Sequence, residues 1–139
     1  MASSGPTTNA QDQAEAAAMR KGEGRGGTIA GLPPCAIEDG LQKYVLIQVG
    51  EGHLVRGAVS AAYHRDAAQP CVEQLSALGV DYEVLGGGRI ALDRASKSIK
   101  IYGFSYGFPW QGRPRHDITA DVVQAHFPGW TVTTSDEGY

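Results

Sequence analysis

The stretch KYVLIQVGEGHLVRGAV, residues 43–59, decides the fold of this chain. In its first half Val45, Ile47 and Val49 alternate with other residues, the period-two pattern typical of a strand. Residues 50–52 (GEG) provide turn residues, and residues 53–59 are expected to form the partner strand. The sequence therefore predicts that the globular part of the chain begins near residue 41 with a pair of strands.

A helix is predicted to follow this pair over residues 62–79. Its apolar residues recur at helical spacing; they are Ala68, Cys71, Val72, Leu75 and Leu78. Pro70 fits the first turn of a helix and breaks an interior. We therefore expect either a helix that begins near Gln69 or an irregular first turn over residues 64–69.

The second half of the chain predicts four more strands and a second helix. Short strands are expected over residues 82–85 and 89–92, joined by the three glycines 86–88, and further strands over 98–102 and 130–134. Thr119 is expected to cap the second helix, which Pro128 and Gly129 end. The order ββαβββαβ predicts an α+β fold: a single domain with a mixed sheet of about six strands and two helices.

Length and charge restrict the classes of function. With 139 residues the chain is expected to hold one domain, and its net charge of −3 gives no overall attraction for nucleic acid or an anionic membrane. No apolar stretch is long enough to span a bilayer. Two cysteines without CxxC spacing make neither a disulfide framework nor a zinc site. We expect a cytoplasmic protein that binds neither membrane nor nucleic acid.

Residues 1–40 are predicted to be a disordered or weakly ordered tail, and residues 41–139 to be the domain. The tail is rich in Ala, Ser, Gly, Thr and Gln, and such a stretch buries too little apolar area to offset the entropy of ordering it. A short helix over residues 10–21 fits the segment AQDQAEAAAMRK. No chemistry is assigned to this tail.

His64 is the first candidate for chemistry. It lies just ahead of the predicted helix, beside free backbone N–H groups and the positive end of the helix dipole, a natural site for an anion. That field is expected to lower the pKa of His64 and keep the imidazole neutral, as a base or nucleophile must be. A surface histidine at a helix start is the alternative, and it is the commoner case.

Three further segments are candidates for binding an anion. Three glycines at 86–88 let the backbone approach a ligand and adopt positive φ, and Arg89 after them could hold a phosphate with two hydrogen bonds. Backbone amides of the segment YGFSYG at 102–107, which carries the hydroxyl of Ser105, could form an anion-binding nest. Lys43 begins the first strand. Each segment also has an ordinary structural interpretation. For residues 86–89 it is a hairpin turn with a surface arginine, for residues 102–107 a strand that runs into a loop, and for Lys43 a solvated lysine at a strand end.

Other enzyme classes lack their patterns here. No HxH or HExxH spacing or adjacent carboxylate cluster suggests a metal, so no metal ligands are assigned. No GxSxG elbow suggests a serine hydrolase. Cys71 lies on the apolar face of the predicted helix and is interpreted as packing.

Taken together, these segments resemble the phosphohistidine phosphatase family, also called the Janus or ocnus family. The matching pieces fall in the same order over about the last hundred residues. They are KYVLI at 43–47, VRG at 55–57, YH at 63–64, LGGGRI at 85–90, YGFS at 102–105, HDIT at 116–119 and EGY at 137–139. LGGGRI together with the upstream YH is the specific part.

The resemblance implies an enzyme that removes phosphate from phosphohistidine in proteins or peptides, and in some members from phospholysine, with no metal or other cofactor. It implies that His64 is catalytic, as general base or nucleophile. It implies that Lys43 and Arg89 bind the phosphate. Backbone amides would complete the cradle, those of His64, Arg65, Ser105 and Gly107. Two features depart from the family pattern: Arg65 stands where a small residue is usual and could add a second cation beside His64, and the loop 106–115 is longer. That loop, with Trp110, Arg113 and Arg115, could alter which protein substrates dock.

Two other functions remain open at this point. One is a non-catalytic module on the same fold that binds a phosphorylated ligand, because a fold alone does not determine a function. The other is an interaction or regulatory protein that acts through the tail and the Trp110 loop. The presence of His64 favours the enzyme, because a protein that only binds a phosphorylated ligand needs the cationic residues but not the histidine. A monomer is expected, because no long apolar edge or heptad pattern calls for a partner.

Overall fold

The computed structural model of the chain describes residues 10–22 and 31–136. Ten elements follow one another in this part of the chain. They are α1 (Ala10–Met19), β1 (Lys21–Gly22), β2 (Cys35–Ala36), β3 (Gly40–Val49), β4 (Gly52–Ala58), α2 (His64–Leu78), β5 (Tyr82–Asp93), β6 (Ser98–Tyr102), α3 (His116–His126) and β7 (Thr131–Thr134).

The strands form one mixed sheet in the order β2-β4-β3-β5-β6-β7, and the short β1 pairs with the beginning of β5. The pairs β2–β4 and β6–β7 are parallel, and the remaining pairs are antiparallel. The predicted α+β fold with a mixed sheet is therefore confirmed. Besides the two helices of the predicted domain, the described residues contain α1, which matches the short helix considered for residues 10–21.

Helices cover both faces of the sheet. On one face, α1 and α2 pack over Val45, Ile47 and Val49, the residues that alternate in the opening stretch. On the other face α3 packs, through Val123, over Leu46 and Ile101 among others. Because alternate residues of β3 enter opposite cores, this strand is buried on both faces. We call these the α2 face and the α3 face.

The three glycines do not form a turn. They lie inside β5, a single strand from Tyr82 to Asp93, where two short strands joined by residues 86–88 were predicted. None of the three has positive φ, so the expected left-handed conformation is also wrong. Neighbouring groups approach the backbone of β5 closely from both faces of the sheet, which explains why residues 87 and 88 are glycines.

Two helix boundaries also differ from expectation. Helix α2 begins at His64 and continues through Pro70, which is exposed on its outer side. Another residue at position 70 would donate its amide to the carbonyl of Asp66, and proline cannot. On this exposed side of the helix water can reach that carbonyl instead, which lessens the penalty of an internal proline. Helix α3 begins at His116 rather than at Thr119, because the carbonyl of Arg115 accepts from the amides of Ile118 and Thr119.

The boundary at residue 40 stays a prediction, although described parts of the N-terminal segment contact the sheet. Ala16 of α1 is fully buried in the α2-face core. The hydroxyl of Tyr82 donates to the carbonyl of Met19 at 3.0 Å, and the amide of Val84 donates to that of Arg20 at 2.7 Å. Among the described residues, no helix combines the length and apolarity that crossing a membrane requires.

Candidate active site

His64 is the first residue of α2, and only 4% of it is exposed. The turn before it is fixed by a reciprocal pair: the carboxylate of Asp66 accepts from the amide of Tyr63 at 3.0 Å, and the amide of Asp66 donates to the carbonyl of Tyr63 at 2.9 Å. The amides of His64 and Arg65, in the first turn, have no partner within the helix. A buried imidazole therefore lies beside helix amides that can receive an anion.

The ring of His64 has a defined tautomer. Its Nε2 lies 2.9 Å from the carbonyl oxygen of Gly88. A carbonyl oxygen only accepts, so Nε2 carries the proton in the neutral ring and Nδ1 keeps its lone pair. The atom that can act as base or nucleophile is therefore Nδ1.

Burial lowers the pKa of His64 to about 4. The positive charges of Lys43 and Arg89 lower it further, whereas the bond to Gly88 and the carboxylate of Asp12 raise it. The expected direction is thus found, but burial is the largest cause, whereas the helix field was expected to be. The ring is neutral at pH 7 and available as a proton acceptor.

Lys43 and Arg89 lie directly opposite each other on β3 and β5. Residues so placed on antiparallel strands have side chains on one face, roughly 5 Å apart at Cβ, and like charges there repel each other. An anion between them would relieve this repulsion. Both residues line one small pocket of about 130 Å³, whose other lining residues are Leu41, Gln42, Val59 and Ala61. His64 is not among the residues that line this pocket.

A bulge in β5 places Arg89 on the α2 face. Val84 packs in the α2-face core, and strict alternation from it would put residue 89 on the opposite face. The register with β3 shifts at Leu46 and Ile47, which pair with Gly86 and Val84 and leave Leu85 as the extra residue. The bulge restores Gly87 and Arg89 to the side on which His64 lies.

Gly87 and Gly88 allow groups from both faces to reach the backbone. A Cβ on Gly87 would lie 2.6 Å from the carbonyl oxygen of Tyr44 and 2.9 Å from Cδ2 of His64. A Cβ on Gly88 would lie 2.9 Å from Cε1 of His116 and would also meet the carbonyl oxygen of Tyr102. Any side chain at these positions would displace the strand or a histidine.

The loop after β6 contributes unequally to the site. Ser105 is fully buried and stands beside Gly87, since its Cβ lies 3.2 Å from where a Cβ on that glycine would be. The hydroxyl of Ser105 accepts from the amide of Phe108 at 3.0 Å and bends the loop. Gly107 faces α1 instead, because a Cβ there would lie 3.0 Å from Cβ of Ala16.

The side chain of Arg65 is directed at carboxylates. Its Nε donates to Asp12 at 2.7 Å, and its terminal nitrogen lies 3.1 Å from Glu15 and 4.0 Å from Asp66. The cation expected to assist beside His64 is therefore held by α1. Asp12, which holds this cation, was not among the predicted site residues. Asp12, Ala16 and Met19 recur at i, i+4 and i+7, the spacing of one helix face, and this was the signal available in the sequence.

A buried polar network lies on the α3 face of β5, on the opposite side of Gly88 from His64. The hydroxyl of Tyr44 lies 2.6 Å from Nδ1 of His116 and 3.1 Å from the hydroxyl of Thr119, and Nε2 of His116 lies 2.9 Å from the carbonyl oxygen of Gly103. Since that carbonyl must accept, Nε2 carries the proton, Tyr44 donates to Nδ1, and Thr119 donates to Tyr44. Burial lowers the pKa of His116.

The loop residues expected to touch substrates have structural partners. Nε1 of Trp110 donates to the carbonyl of Gly87 at 3.0 Å, and its ring packs edge-on against His116. Arg113 and Arg115 both pair with Asp117. Within residues 10–22 and 31–136 no group of three or more His, Cys, Asp or Glu side chains could hold a metal ion. The EGY motif at 137–139 lies outside the described residues.

The fold and this site define a class of protein: an α+β domain in which a buried, neutral histidine at a helix N-terminus lies on the same face of the sheet as two cations on adjacent strands. The sequence profile of the Janus/Ocnus family matches residues 29–131. The chain belongs to the Janus/Ocnus family.

Several characterised relatives are similar over most of the chain. A 14 kDa phosphohistidine phosphatase from Sus scrofa is 37% identical over 123 residues, which cover 80% of this chain and 95% of the relative. The protein of that name from Homo sapiens is 33% identical over 123 residues, covering 80% and 96%. The sex-regulated protein janus-A from Drosophila yakuba is 38% identical over 117 residues, covering 80% and 84%.

Proposed function

We propose that this protein is a hydrolase that cleaves the P–N bond of phosphohistidine in proteins or peptides, with His64 as its catalytic residue. One observation carries the proposal: a neutral, buried imidazole is fixed to Gly88, the residue directly before Arg89, while Lys43 lies opposite that arginine. The names of the pig and human relatives support the same substrate class. Phospholysine is a second substrate of the same bond type.

The cations would bind and orient the phosphoryl group. Phosphoryl transfer passes through a loose transition state, so the protein mainly positions the group and stabilises the charge on its oxygens. Arg89 can supply two parallel N–H donors and Lys43 a compact positive charge. The amides of His64, Arg65, Ser105 and Gly107 would add neutral donors; for Gly107 the neighbouring helix α1 restricts the approach.

His64 would act through Nδ1. As general base it takes a proton from a water, and the water oxygen forms the new bond to phosphorus. The P–N bond breaks with its electron pair on the leaving imidazole nitrogen, which takes up a proton from solvent. As nucleophile Nδ1 itself forms the bond to phosphorus while the P–N bond of the substrate breaks and its imidazole leaves, taking up a proton from solvent. In a second step a water oxygen forms a bond to phosphorus, the bond to Nδ1 breaks, and phosphate is released. The bond from Nε2 to Gly88 holds the ring in the orientation that either route requires.

We further propose that the reaction needs no metal and that the protein acts as a cytoplasmic monomer. The two cysteines are free and buried, which fits a reducing compartment. A non-catalytic module that binds phosphorylated ligands remains the second candidate, because the janus-A relatives are named for their regulation by sex and not for an activity.

Phosphate release separates these functions. Protein treated with a chelator is added to a phosphohistidine peptide, with a phosphoserine peptide as the control, and inorganic phosphate is followed. Release from the phosphohistidine peptide alone supports the metal-independent enzyme. Saturable binding without release supports the binding module, and neither binding nor release would overturn both.

A further inference from the structure

Helix α1 lies outside residues 29–131, the part of the chain that matches the family profile, and yet it contacts both sides of the candidate site. On one side Asp12 binds Arg65, the neighbour of His64 in the first turn of α2. On the other side Ala16 packs against Gly107 of the loop. An element beyond the family's shared region therefore contacts the surroundings of the catalytic histidine.

The contact with Arg65 is the strong one. Asp12 is only 4% exposed, and its carboxylate accepts from Nε of Arg65 at 2.7 Å. Glu15 of the same helix lies 3.1 Å from the guanidinium but is 44% exposed, so water screens its charge. A guanidinium donates in a rigid planar fork, and the buried carboxylate therefore determines where this side chain points.

We propose that Asp12 is a positioning residue: it holds Arg65 on α1 and keeps this third cation away from the phosphate bound by Lys43 and Arg89. The inference rests on the proposed function, since it concerns the same anion site. Arg65 begins one residue from His64, and without the Asp12 charge the more exposed carboxylates of Glu15 and Asp66 would compete with a bound phosphate for its guanidinium. Its side chain is 23% exposed, and a partly buried charge that loses its partner is costly to leave alone.

This restraint has a consequence for turnover. A third cation would bind substrate and product phosphate alike, and binding both equally lowers KM without raising kcat. Tighter binding of the phosphate product slows its release, which limits many enzymes. Removal of the Asp12 charge is therefore expected to tighten phosphate binding and to slow turnover together.

The test is a double-mutant cycle on the full-length chain, with inorganic phosphate as the ligand and calorimetry as the measurement. Asp12→Asn is expected to bind phosphate about tenfold more tightly than the wild type, the effect of one added charge-assisted hydrogen bond. In an Arg65→Gln background the same Asp12→Asn change is expected to alter the affinity by less than about twofold. Asp39→Asn removes a carboxylate from an exposed pair with Arg94 and serves as the control of equal charge change.

The steady-state constants provide a second readout. Asp12→Asn should lower both kcat and KM for the phosphohistidine peptide, and Asp12→Glu, which keeps the carboxylate, should restore kcat toward that of the wild type. Simple damage to the site would raise KM instead. Unchanged or weaker phosphate binding by a folded Asp12→Asn protein, or equal tightening in the Arg65→Gln background, overturns the inference. If the wild type binds phosphate but releases none from the peptide, the proposed function is wrong. The double-mutant cycle of phosphate affinities still decides the role of Asp12 in that case.

Discussion

The Nε2 atom of His64 lies 2.9 Å from the carbonyl oxygen of Gly88, and the next residue along the strand is Arg89. One stretch of β5 therefore orients the imidazole and carries a cation of the candidate site. This arrangement needs the bulge at Leu85, without which the arginine would lie on the other face of the sheet.

The protonation of His64 can be measured directly. Because burial lowers the pKa of this imidazole to about 4, we expect its NMR titration to show a neutral ring throughout the range from pH 5 to pH 8. A midpoint for His64 near the ordinary value of 6.5 would contradict the buried, proton-accepting imidazole.

The same shift predicts how stability depends on pH. The folded-state pKa lies below the unfolded value of 6.5, so the unfolded chain binds more protons between about pH 4 and pH 6.5. The free energy of unfolding therefore falls as the pH is lowered from 6.5 toward 4. Burial of His64 accounts for a loss of up to about 3 kcal/mol over this range, and above pH 6.5 the loss is absent. In urea titrations over this range His64→Gln should flatten the pH dependence, and a folded variant whose stability depends on pH as steeply as that of the wild type would contradict the prediction.

Arg89→Gln is expected to weaken phosphate binding by more than about tenfold, because the change removes a charge-assisted, two-pronged donor. Calorimetry with inorganic phosphate and KM for the phosphohistidine peptide should change in the same direction. Arg94→Gln, in an exposed ion pair at the end of the same strand, is the matched control. Equal phosphate affinities for the wild type and Arg89→Gln would remove this arginine from the site.

Gly87→Ala should displace the imidazole ring of His64. The added Cβ would lie 2.6 Å from the backbone oxygen of Tyr44 and 2.9 Å from Cδ2 of His64, and such overpacking destabilises by about 1–3 kcal/mol. Gly86→Ala is the comparison, since its Cβ meets the ring of Trp110 instead. Both variants should unfold at lower urea concentrations, but kcat should fall further in Gly87→Ala. Equal kcat in the two variants would contradict a specific contact between the glycine and His64.

Tyr44→Phe tests the network on the α3 face. The change leaves Nδ1 of His116 and the hydroxyl of Thr119 buried without their shared partner, which should lower the free energy of unfolding by about 1–3 kcal/mol. Tyr106→Phe, at a position 37% exposed where water can replace a lost hydrogen bond, should lower it by less than Tyr44→Phe does. The network would lose its structural role if urea unfolding gave the same midpoint for Tyr44→Phe and the wild type.

The sequence predicted the architecture because local patterns dominate it. Alternation in residues 43–49 and helical spacing in residues 68–78 were sufficient for β3 and α2, and both were found. The triple glycine was misinterpreted as a turn, since a run of glycines indicates missing side chains but not what fills the space. That information comes from Tyr44, His64 and His116, which are distant in sequence.

The site was predictable in its residue types and less so in its geometry. His64, Lys43 and Arg89 were named from motifs, and the structure places Lys43 opposite Arg89 and His64 against the neighbouring peptide. The direction of the Arg65 side chain was not predictable, because it depends on Asp12, fifty-three residues away in sequence. Long-range ion pairs of this kind leave no local pattern.

The most direct test of the central claim compares phosphate release from a phosphohistidine peptide by the wild type and by His64→Gln. Glutamine can still donate to the carbonyl of Gly88 but has no basic nitrogen, so the variant should fold, bind phosphate and lose at least about 99% of kcat. Release by a folded His64→Gln protein at a rate close to that of the wild type would contradict the account.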